Sequence, residues 1–230
     1  MKKGRSAVND MGEKSGLLFP RQYDILLESS MILGGDNVLY AVSYSETFSA
    51  KKEEAAYQHL LGRKLLFWAM KQEYGADPAL LSVERGEHGK PYFGNHLAKF
   101  SVSHCQGYVC CALSEHEIGV DAEVLREYDP RIARRICTEE ELDFLENCPR
   151  QDEAFTILWT LKESRMKLSG EGTHFGFQKA AFLWNGDKFT AAEKSVSAVT
   201  FEPFPKVFLS VCTRDELPQD VNIIDISRLS

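Results

Sequence analysis

The sequence lacks the segments that mark a secreted or membrane-embedded protein. Its N-terminal residues are charged and polar, without the apolar core of a secretory signal, and no later stretch reaches the roughly 18 uninterrupted apolar residues of a membrane span. Its six cysteines include no Cys-x-x-Cys pair and no zinc-ligand spacing. We therefore expect a cytoplasmic protein with reduced thiols, no membrane partner and no structural zinc.

Positive charge is also scarce. The chain has 27 Lys and Arg against 34 Asp and Glu, which gives a formal net charge of −7. Because non-specific nucleic-acid affinity comes from many cations that displace counterions, this balance predicts no nucleic-acid partner. The phosphate loop Gly-x-x-x-x-Gly-Lys-Ser/Thr is absent as well. Any phosphate-bearing ligand must therefore meet a local positive pocket.

The chain does have enough apolar sequence for a packed core, with 43% of its 230 residues apolar. The polar residues 1–17 predict a disordered tail. Apolar residues at three- and four-residue steps predict a helix over Lys51–Tyr74, which Gly75 is placed to end. Strands are predicted over Val38–Tyr44 and Leu80–Glu84.

Three further strands, joined by short turns, are central to the functional prediction. They are Ala98–Ser103, Tyr108–Leu113 and Glu117–Glu123. We expect an antiparallel meander, in which the third strand returns to the end of the first, where His104 lies. Asp121 and Glu123 are two residues apart on a strand, so they point to the same face. The meander therefore predicts that both carboxylates lie near His104.

Two helices are predicted after these strands. Thr138 and Glu141 match a capping box and should begin a helix that runs to Asn147. Asp152 is expected to cap a second helix, Glu153–Ser169.

The rest of the chain predicts strands alone: Ala181–Trp184, Ser197–Phe201, Lys206–Val211 and Val221–Ile226. Each half thus has a helix and several antiparallel strands. We predict an α+β fold of two similar subdomains, residues 18–115 and 116–230, each a helix packed on a small antiparallel sheet. A pseudo-two-fold arrangement would place the functional site at their interface, with most metal and catalytic residues in the second subdomain.

The carboxylates of this arrangement suggest a magnesium site. Mg²⁺ prefers oxygen ligands and usually takes one or more carboxylates together with substrate phosphates. Asp121, Glu123 and Glu163 fit that role, and Glu163 shares a helix face with Trp159 and Lys167. The alternative is that Asp121 and Glu123 face solvent and that Glu163 pairs with Lys167 in a weak surface ion pair. Taken jointly, the pattern favours chemistry on a pyrophosphate.

Candidate phosphate contacts lie in two other places. The loop from Arg85 to Pro91 carries two cations, Arg85 and Lys90, and two glycines where backbone can approach a ligand closely. His104 follows Ser103 at a turn. Each of these residues also has an ordinary structural interpretation, as a surface cation, a turn residue or a hydrogen-bonding histidine.

In combination, these motifs resemble the 4′-phosphopantetheinyl transferases, in particular their larger, monomeric surfactin-type branch. The resemblance runs from about Glu53 to near the C-terminus. It rests on four motifs that occur in the family's order: Gly89-Lys90-Pro91-Tyr92, Phe100-Ser101-Val102-Ser103-His104, Ile118-Gly119-Val120-Asp121-Ala122-Glu123 and Trp159-x-x-Lys162-Glu163-x-x-x-Lys167-x-x-Gly170.

The resemblance implies that coenzyme A donates its 4′-phosphopantetheine arm to a serine hydroxyl of an apo acyl or peptidyl carrier protein, which releases adenosine 3′,5′-bisphosphate. It implies that Asp121, Glu123 and Glu163 hold Mg²⁺, with Mn²⁺ as an alternative. Glu163 is then also the candidate that deprotonates the serine. Lys167 would stabilise or protonate the departing phosphate.

A coenzyme A site is implied as well. Its phosphates would be bound by Arg85, Lys90, Ser103 and His104, and its adenine side would be shaped by Gly89 and Pro91. Relatives often carry an arginine near the position of Gln58 and an asparagine at that of Ser101. We therefore hypothesise weaker discrimination against 3′-dephospho-coenzyme A, unless Arg85, Lys51 and Lys52 compensate.

Two other functions use the same residues. One is a magnesium-dependent phosphohydrolase or nuclease, although the acidic net charge and the wide spacing of Glu163 and Lys167 speak against it. The other is a non-catalytic module that binds coenzyme A or a carrier protein, although no candidate catalytic residue is missing. A monomer is expected from the family analogy alone. No motif indicates which fatty-acid, polyketide or peptide-synthetase carrier is served.

Overall fold

The computed structural model describes residues 37–229 of the chain. The predicted disordered tail, residues 1–17, lies outside the described residues. The α-helices within 37–229 are α1 (Lys51–Tyr74), α2 (Pro130–Ile136), α3 (Glu139–Asn147) and α4 (Gln151–Ser169). None of these four helices is both long and apolar enough to span a membrane.

The strands complete an α+β fold of small, mainly antiparallel sheets, which confirms the predicted class. They are β1 (Val38–Ser43), β2 (Val83–Arg85), β3 (Pro91–Phe93), β4 (Lys99–Cys105), β5 (Tyr108–Ser114), β6 (Ile118–Val124), β7 (Phe182–Trp184), β8 (Phe189–Ala191), β9 (Ser197–Phe204), β10 (Val207–Thr213) and β11 (Asn222–Ile223). One sheet has four strands in the order β11-β1-β5-β4, and another has three in the order β6-β10-β9. The pairs β2-β3 and β7-β8 form separate hairpins.

The predicted meander is only partly present. Strands β4 and β5 form the expected antiparallel hairpin. The prediction that the third strand joins them was wrong, because β6 enters the three-stranded sheet and pairs with β10, with Asp121 opposite Ser210. Consecutive strands usually pair with each other, which favoured the meander. Strand β10 lies far from β6 in the sequence, so no turn motif near β6 indicates that the two strands pair.

The two sheets pack face to face between two helices. Side chains alternate along β1 and β5, so that one set packs against α1 and the other set packs against the three-stranded sheet. Strand β10 is buried along its whole length, and its side chains alternate between the four-stranded sheet and α4. Each sheet therefore carries one long helix on its outer face. A pseudo-two-fold relation between the two halves stays a prediction.

The three predicted helices are present, but the residue predicted to cap the third is wrong. Helix α1 has the predicted boundaries and ends at Gly75, whose φ of 61° suits a glycine. Both hydrogen bonds of the capping box between Thr138 and Glu141 are present at the start of α3. The predicted cap of α4 was wrong, because the Asp152 carboxylate instead accepts a hydrogen bond from the Tyr128 backbone N–H at 2.8 Å.

Shorter elements agree less well with the sequence prediction. Helix α2 and strands β3 and β8 were not predicted, although Asp129 caps α2 through its side chain. The predicted strand Leu80–Glu84 is a 3₁₀ turn that ends at Leu80, followed by β2. The predicted strand Val221–Ile226 is reduced to the two residues of β11.

The end of the chain returns to the first half of the molecule. Strand β11 pairs in parallel with β1, and Ile224 and Leu229 are buried in the core beneath α1. The proposed division into residues 18–115 and 116–230 stays a prediction, and this final segment packs on the sheet assigned to the other subdomain.

Gly119 sets how closely α4 approaches β6. A Cβ atom at this position would lie 2.0 Å from the Ser164 carbonyl oxygen and 2.5 Å from the Leu168 backbone nitrogen. Both neighbours are backbone atoms, which no side-chain rotation can move away. Only glycine therefore allows the helix to lie at its observed depth on the strand.

We predict that Gly119→Ala lowers the free energy of unfolding by about 3 kcal/mol, since the new methyl group must displace the α4 backbone. Urea unfolding followed by circular dichroism measures the change. Gly86→Ala is the control, because a Cβ there meets nothing closer than 3.6 Å. A Gly119→Ala protein as stable as the control would contradict this account of the helix position.

Candidate active site

A buried carboxylate, a hydroxyl and an ammonium group meet where β4, β6 and α4 come together. The Ser103 hydroxyl donates a hydrogen bond to Asp121 Oδ1 at 2.7 Å. The Lys167 ammonium lies 2.8 Å from the same oxygen and 2.9 Å from Ser103 Oγ. Asp121 is only 8% exposed, so the interpretation of this residue as solvent-facing was wrong.

The strands explain why these groups meet. Alternation along β6 points Ile118, Val120 and Ala122 into the core between the sheets, so that Asp121 faces α4. The β6 backbone edge that does not pair with β10 lies against β4. There the hydroxyl of Ser103 accepts a hydrogen bond from the Ala122 N–H at 3.3 Å. Serine side chains thus join two sheets that share no strand pairing at this point.

The other two candidate carboxylates differ in their partners. Glu123 forms an ion pair with Arg126 at 3.2 Å, whereas Glu163 has no hydrogen bond or ion pair with the described residues. Burial raises the pKa of Glu163, and the nearby charge of Asp121 raises it further, while Lys167 and Arg126 act in the opposite direction. Burial likewise raises the pKa of Glu123. The negative charge of Asp121 therefore acts on both of the other carboxylates.

These carboxylates are not arranged as a ready metal site. No group of three or more His, Cys, Asp or Glu side chains within residues 37–229 is placed to hold a metal ion. Asp121 is directed at Lys167, and Glu123 at Arg126. The chemistry of the donor set nevertheless fits a hard divalent cation, because all three groups offer oxygen and Glu163 has no hydrogen-bond or ion-pair partner among the described residues.

A cleft lies beside this cluster. Residues from the β2-β3 hairpin, from β4 and from the end of α4 line it: His88, Gly89, Lys90, Pro91, Phe100, Ser101, Val102, Met166, Lys167, Gly170 and Gly172. Three of the predicted coenzyme A residues, Gly89, Lys90 and Pro91, therefore share a cleft with Lys167. The Lys90 ammonium pairs with Glu117 at 2.5 Å.

The remaining predicted contacts lie at the edges. Arg85 is exposed and donates a hydrogen bond to the Gly89 carbonyl at 3.0 Å, so it stiffens the hairpin turn. His104 is half-buried with its ring 5.1 Å from that of His59 on α1. Burial lowers the pKa of His104, and His59 and Lys167 lower it further. Neither Arg85 nor His104 lines the cleft itself.

Arg126 also belongs to this region, although no sequence motif predicted it. Its guanidinium carbon lies 4.2 Å from the centre of the Trp159 ring, and one of its N–H groups reaches Glu123. Trp159 is half-buried and also packs near Phe177, so it serves both packing and cation binding. The available signal was the position of this arginine, three residues after Glu123, but that spacing does not match any motif.

Gln58 and Ser101, where relatives often differ, are both buried and hydrogen-bonded within the protein. Gln58 donates to the Cys105 carbonyl at 2.9 Å, and Ser101 accepts from the Val120 N–H at 3.0 Å. The effect of these residues on 3′-phosphate recognition stays a prediction.

Lys162, which precedes Glu163 in the helix motif, faces away from the cluster. It is fully buried and pairs with the fully buried Glu141 at 2.7 Å. Its ammonium also donates to the carbonyls of Phe177 and Ala180, while Glu141 accepts from the Phe182 backbone N–H at 2.8 Å. This network fixes α3 and the loop after α4 to α4 itself, the helix that carries Glu163 and Lys167.

We predict that Glu141→Gln lowers the free energy of unfolding by about 3–5 kcal/mol, because it leaves a buried ammonium without its counter-charge. Chemical denaturation measures the loss. Glu140→Gln, an exposed neighbour on α3, should stay within about 0.5 kcal/mol of the wild type. Equal stability of the two variants would rule out a structural role for the buried pair.

Comparison with known proteins agrees with this geometry. The family described as the 4′-phosphopantetheinyl transferase superfamily matches residues 117–217, which include β6, α4 and β10. The chain is 33% identical over 121 residues to the 4′-phosphopantetheinyl transferase gsp of Aneurinibacillus migulanus. This alignment covers 52% of the chain and about half, 51%, of that relative.

Two relatives from Bacillus subtilis align over longer stretches. A 4′-phosphopantetheinyl transferase is 30% identical over 157 residues, which cover 65% of this chain and 70% of the relative. The 4′-phosphopantetheinyl transferase Sfp of strain 168 is 26% identical over 186 residues, which cover 77% and 83%. On this similarity, and with the acidic residues of β6 and α4 brought together, the chain belongs to the 4′-phosphopantetheinyl transferases.

Proposed function

We propose that this protein transfers the 4′-phosphopantetheine arm of coenzyme A to a serine hydroxyl of an apo acyl or peptidyl carrier protein. Adenosine 3′,5′-bisphosphate is the other product. The observation that supports this most is that Lys167, which contacts Asp121, lines the same cleft as Gly89, Lys90 and Pro91. A site for a pyrophosphate needs such an arrangement of acid and cation beside a cleft.

In this proposal Glu163 receives the proton of the serine hydroxyl, directly or through a water molecule. Its carboxylate is half-buried, without a hydrogen-bond partner among the described residues, and its pKa is raised by burial. A carboxylate with a raised pKa is a better base at neutral pH than an ordinary one. The serine oxygen forms a bond to phosphorus as the bond to the departing phosphate breaks.

Lys167 acts on the departing group. Its side chain is about one-third exposed, and its ammonium contacts three oxygen atoms, including Ser103 Oγ. It can stabilise the negative charge that develops on the leaving oxygen, or give it a proton. Lys90, Arg85, Ser103 and His104 supply the remaining phosphate contacts in this proposal.

Asp121, Glu123 and Glu163 would hold Mg²⁺, or Mn²⁺ in its place. When bound, such an ion neutralises the charge of a pyrophosphate. The protein's own contribution is to keep the three carboxylates on facing elements, β6 and α4, at a fixed depth. We further propose that coenzyme A and the carrier protein are the partners and that the chain acts as a monomer.

One assay separates the proposed transfer from its alternatives. The protein is mixed with coenzyme A, Mg²⁺ and an apo carrier protein, and the carrier mass is measured. We expect the gain of one phosphopantetheine on a serine. Nucleotide release without carrier modification would indicate a phosphohydrolase, and an unchanged mixture would indicate a module that only binds.

We predict that Glu163→Gln lowers kcat/KM at least about a hundredfold, because it removes both a proton acceptor and the negative charge of a proposed metal ligand. Arg85→Ala should cost less than about fivefold, since the side chain is exposed and lies outside the cleft. The rate of carrier modification is measured for both variants. Glu146→Gln, which removes an exposed carboxylate elsewhere, is the control for the loss of one negative charge. Comparable losses in Glu163→Gln and Arg85→Ala would refute the assigned roles.

A further inference from the structure

Arg126 is held at three points at the edge of the candidate active site. Its backbone N–H donates to Thr156 Oγ1 on α4 at 3.0 Å. Its guanidinium lies 4.2 Å from the centre of the Trp159 ring, also on α4. The same group forms an ion pair with Glu123 at 3.2 Å. An exposed arginine without a role would not be fixed by its backbone, its ring contact and its charge together.

Within residues 37–229, two cations near the candidate metal ligands are each paired with a carboxylate. Lys167 lies against Asp121, and Arg126 lies against Glu123. These contacts account for the absence of a formed metal site within residues 37–229, since two of the three carboxylates are directed at side chains. Glu163 has no such partner, yet Arg126 is near enough to lower its pKa.

We infer that Arg126 occupies the place of the divalent cation in the metal-free protein and is displaced from Glu123 when the metal binds. This inference rests on the proposed function, because it concerns the same three carboxylates. Burying several like charges together is costly without compensation, and a guanidinium supplies the compensation before the metal arrives. Trp159 holds the guanidinium against Glu123 in the metal-free protein.

The consequence is a competition that can be measured without catalysis. Metal binding must break the Arg126–Glu123 pair, so removal of the arginine charge should tighten binding of the metal alone. The pair is partly exposed, with 30% of the arginine and 25% of the glutamate side chain accessible. A pair of this kind corresponds to an affinity change of about two- to fivefold.

The test is a titration of the metal-free protein with Mn²⁺ alone, followed by electron paramagnetic resonance of the free ion. We expect Arg126→Gln to bind Mn²⁺ about two- to fivefold more tightly than the wild type. Arg131→Gln is the matched control: it removes the same charge five residues later, where the arginine pairs with Asp129. Its affinity should equal that of the wild type.

A second variant tests the same idea without a change of charge. Trp159→Leu removes the ring that holds the guanidinium, so Mn²⁺ affinity should rise in the same direction by a smaller factor. The melting temperature gives an independent measurement, because binding stabilises the folded state according to affinity. In a chelator Arg126→Gln should melt below the wild type, and Mn²⁺ should raise its melting temperature more.

The outcomes separate this inference from the proposed function. If Arg126→Gln binds Mn²⁺ no more tightly than Arg131→Gln while the wild type modifies carrier protein, only the displacement is overturned. If the wild type neither binds Mn²⁺ nor modifies a carrier, both are overturned. A lower melting temperature with unchanged Mn²⁺ affinity would make Arg126 a purely structural residue, which also contradicts the displacement.

Discussion

The close contact between α4 and β6 determines the geometry of everything around it. Because Gly119 has no side chain, the α4 backbone lies directly on β6. Glu163 and Lys167, one turn apart on α4, therefore lie close to Asp121, the next residue of β6 that faces the helix. The Lys167 ammonium contacts the Asp121 carboxylate directly, and Glu163 is close enough for the charge of Asp121 to affect it. A helix held further out by a side chain would leave the acids and the ammonium too far apart to act together.

Electrostatics then decides which arrangement these residues adopt. Three acidic groups near the protein interior repel one another, and the molecule offsets this repulsion with two cations from different elements. The serine hydroxyl of β4 adds a neutral donor to the most buried acid. Two of the three carboxylates are thus paired with cations of the protein itself, whereas Glu163 has no ion-pair partner among the described residues.

The elements that are predicted correctly from the sequence have a local physical signal, whereas those predicted wrongly depend on residues far apart in the chain. The boundaries of α1 and the capping box of α3 follow from side-chain periodicity and from residues three positions apart. The pairing of β6 with β10 depends on residues far apart in the chain, so the meander was wrong although Asp121 does lie beside Ser103. Arg126 was not predicted because its position over Trp159 depends on how α4 packs, which no local sequence pattern indicates.

The parallel pairing of β1 with β11 has a consequence for how the chain acquires its structure during synthesis. The four-stranded sheet is completed by residues near the C-terminus, and β6 must wait for β9 and β10 before its sheet exists. Neither sheet can therefore be completed before β9, β10 and β11 have been synthesised. Until then the nascent polypeptide carries strand edges whose partners do not yet exist, and such edges are prone to aggregation.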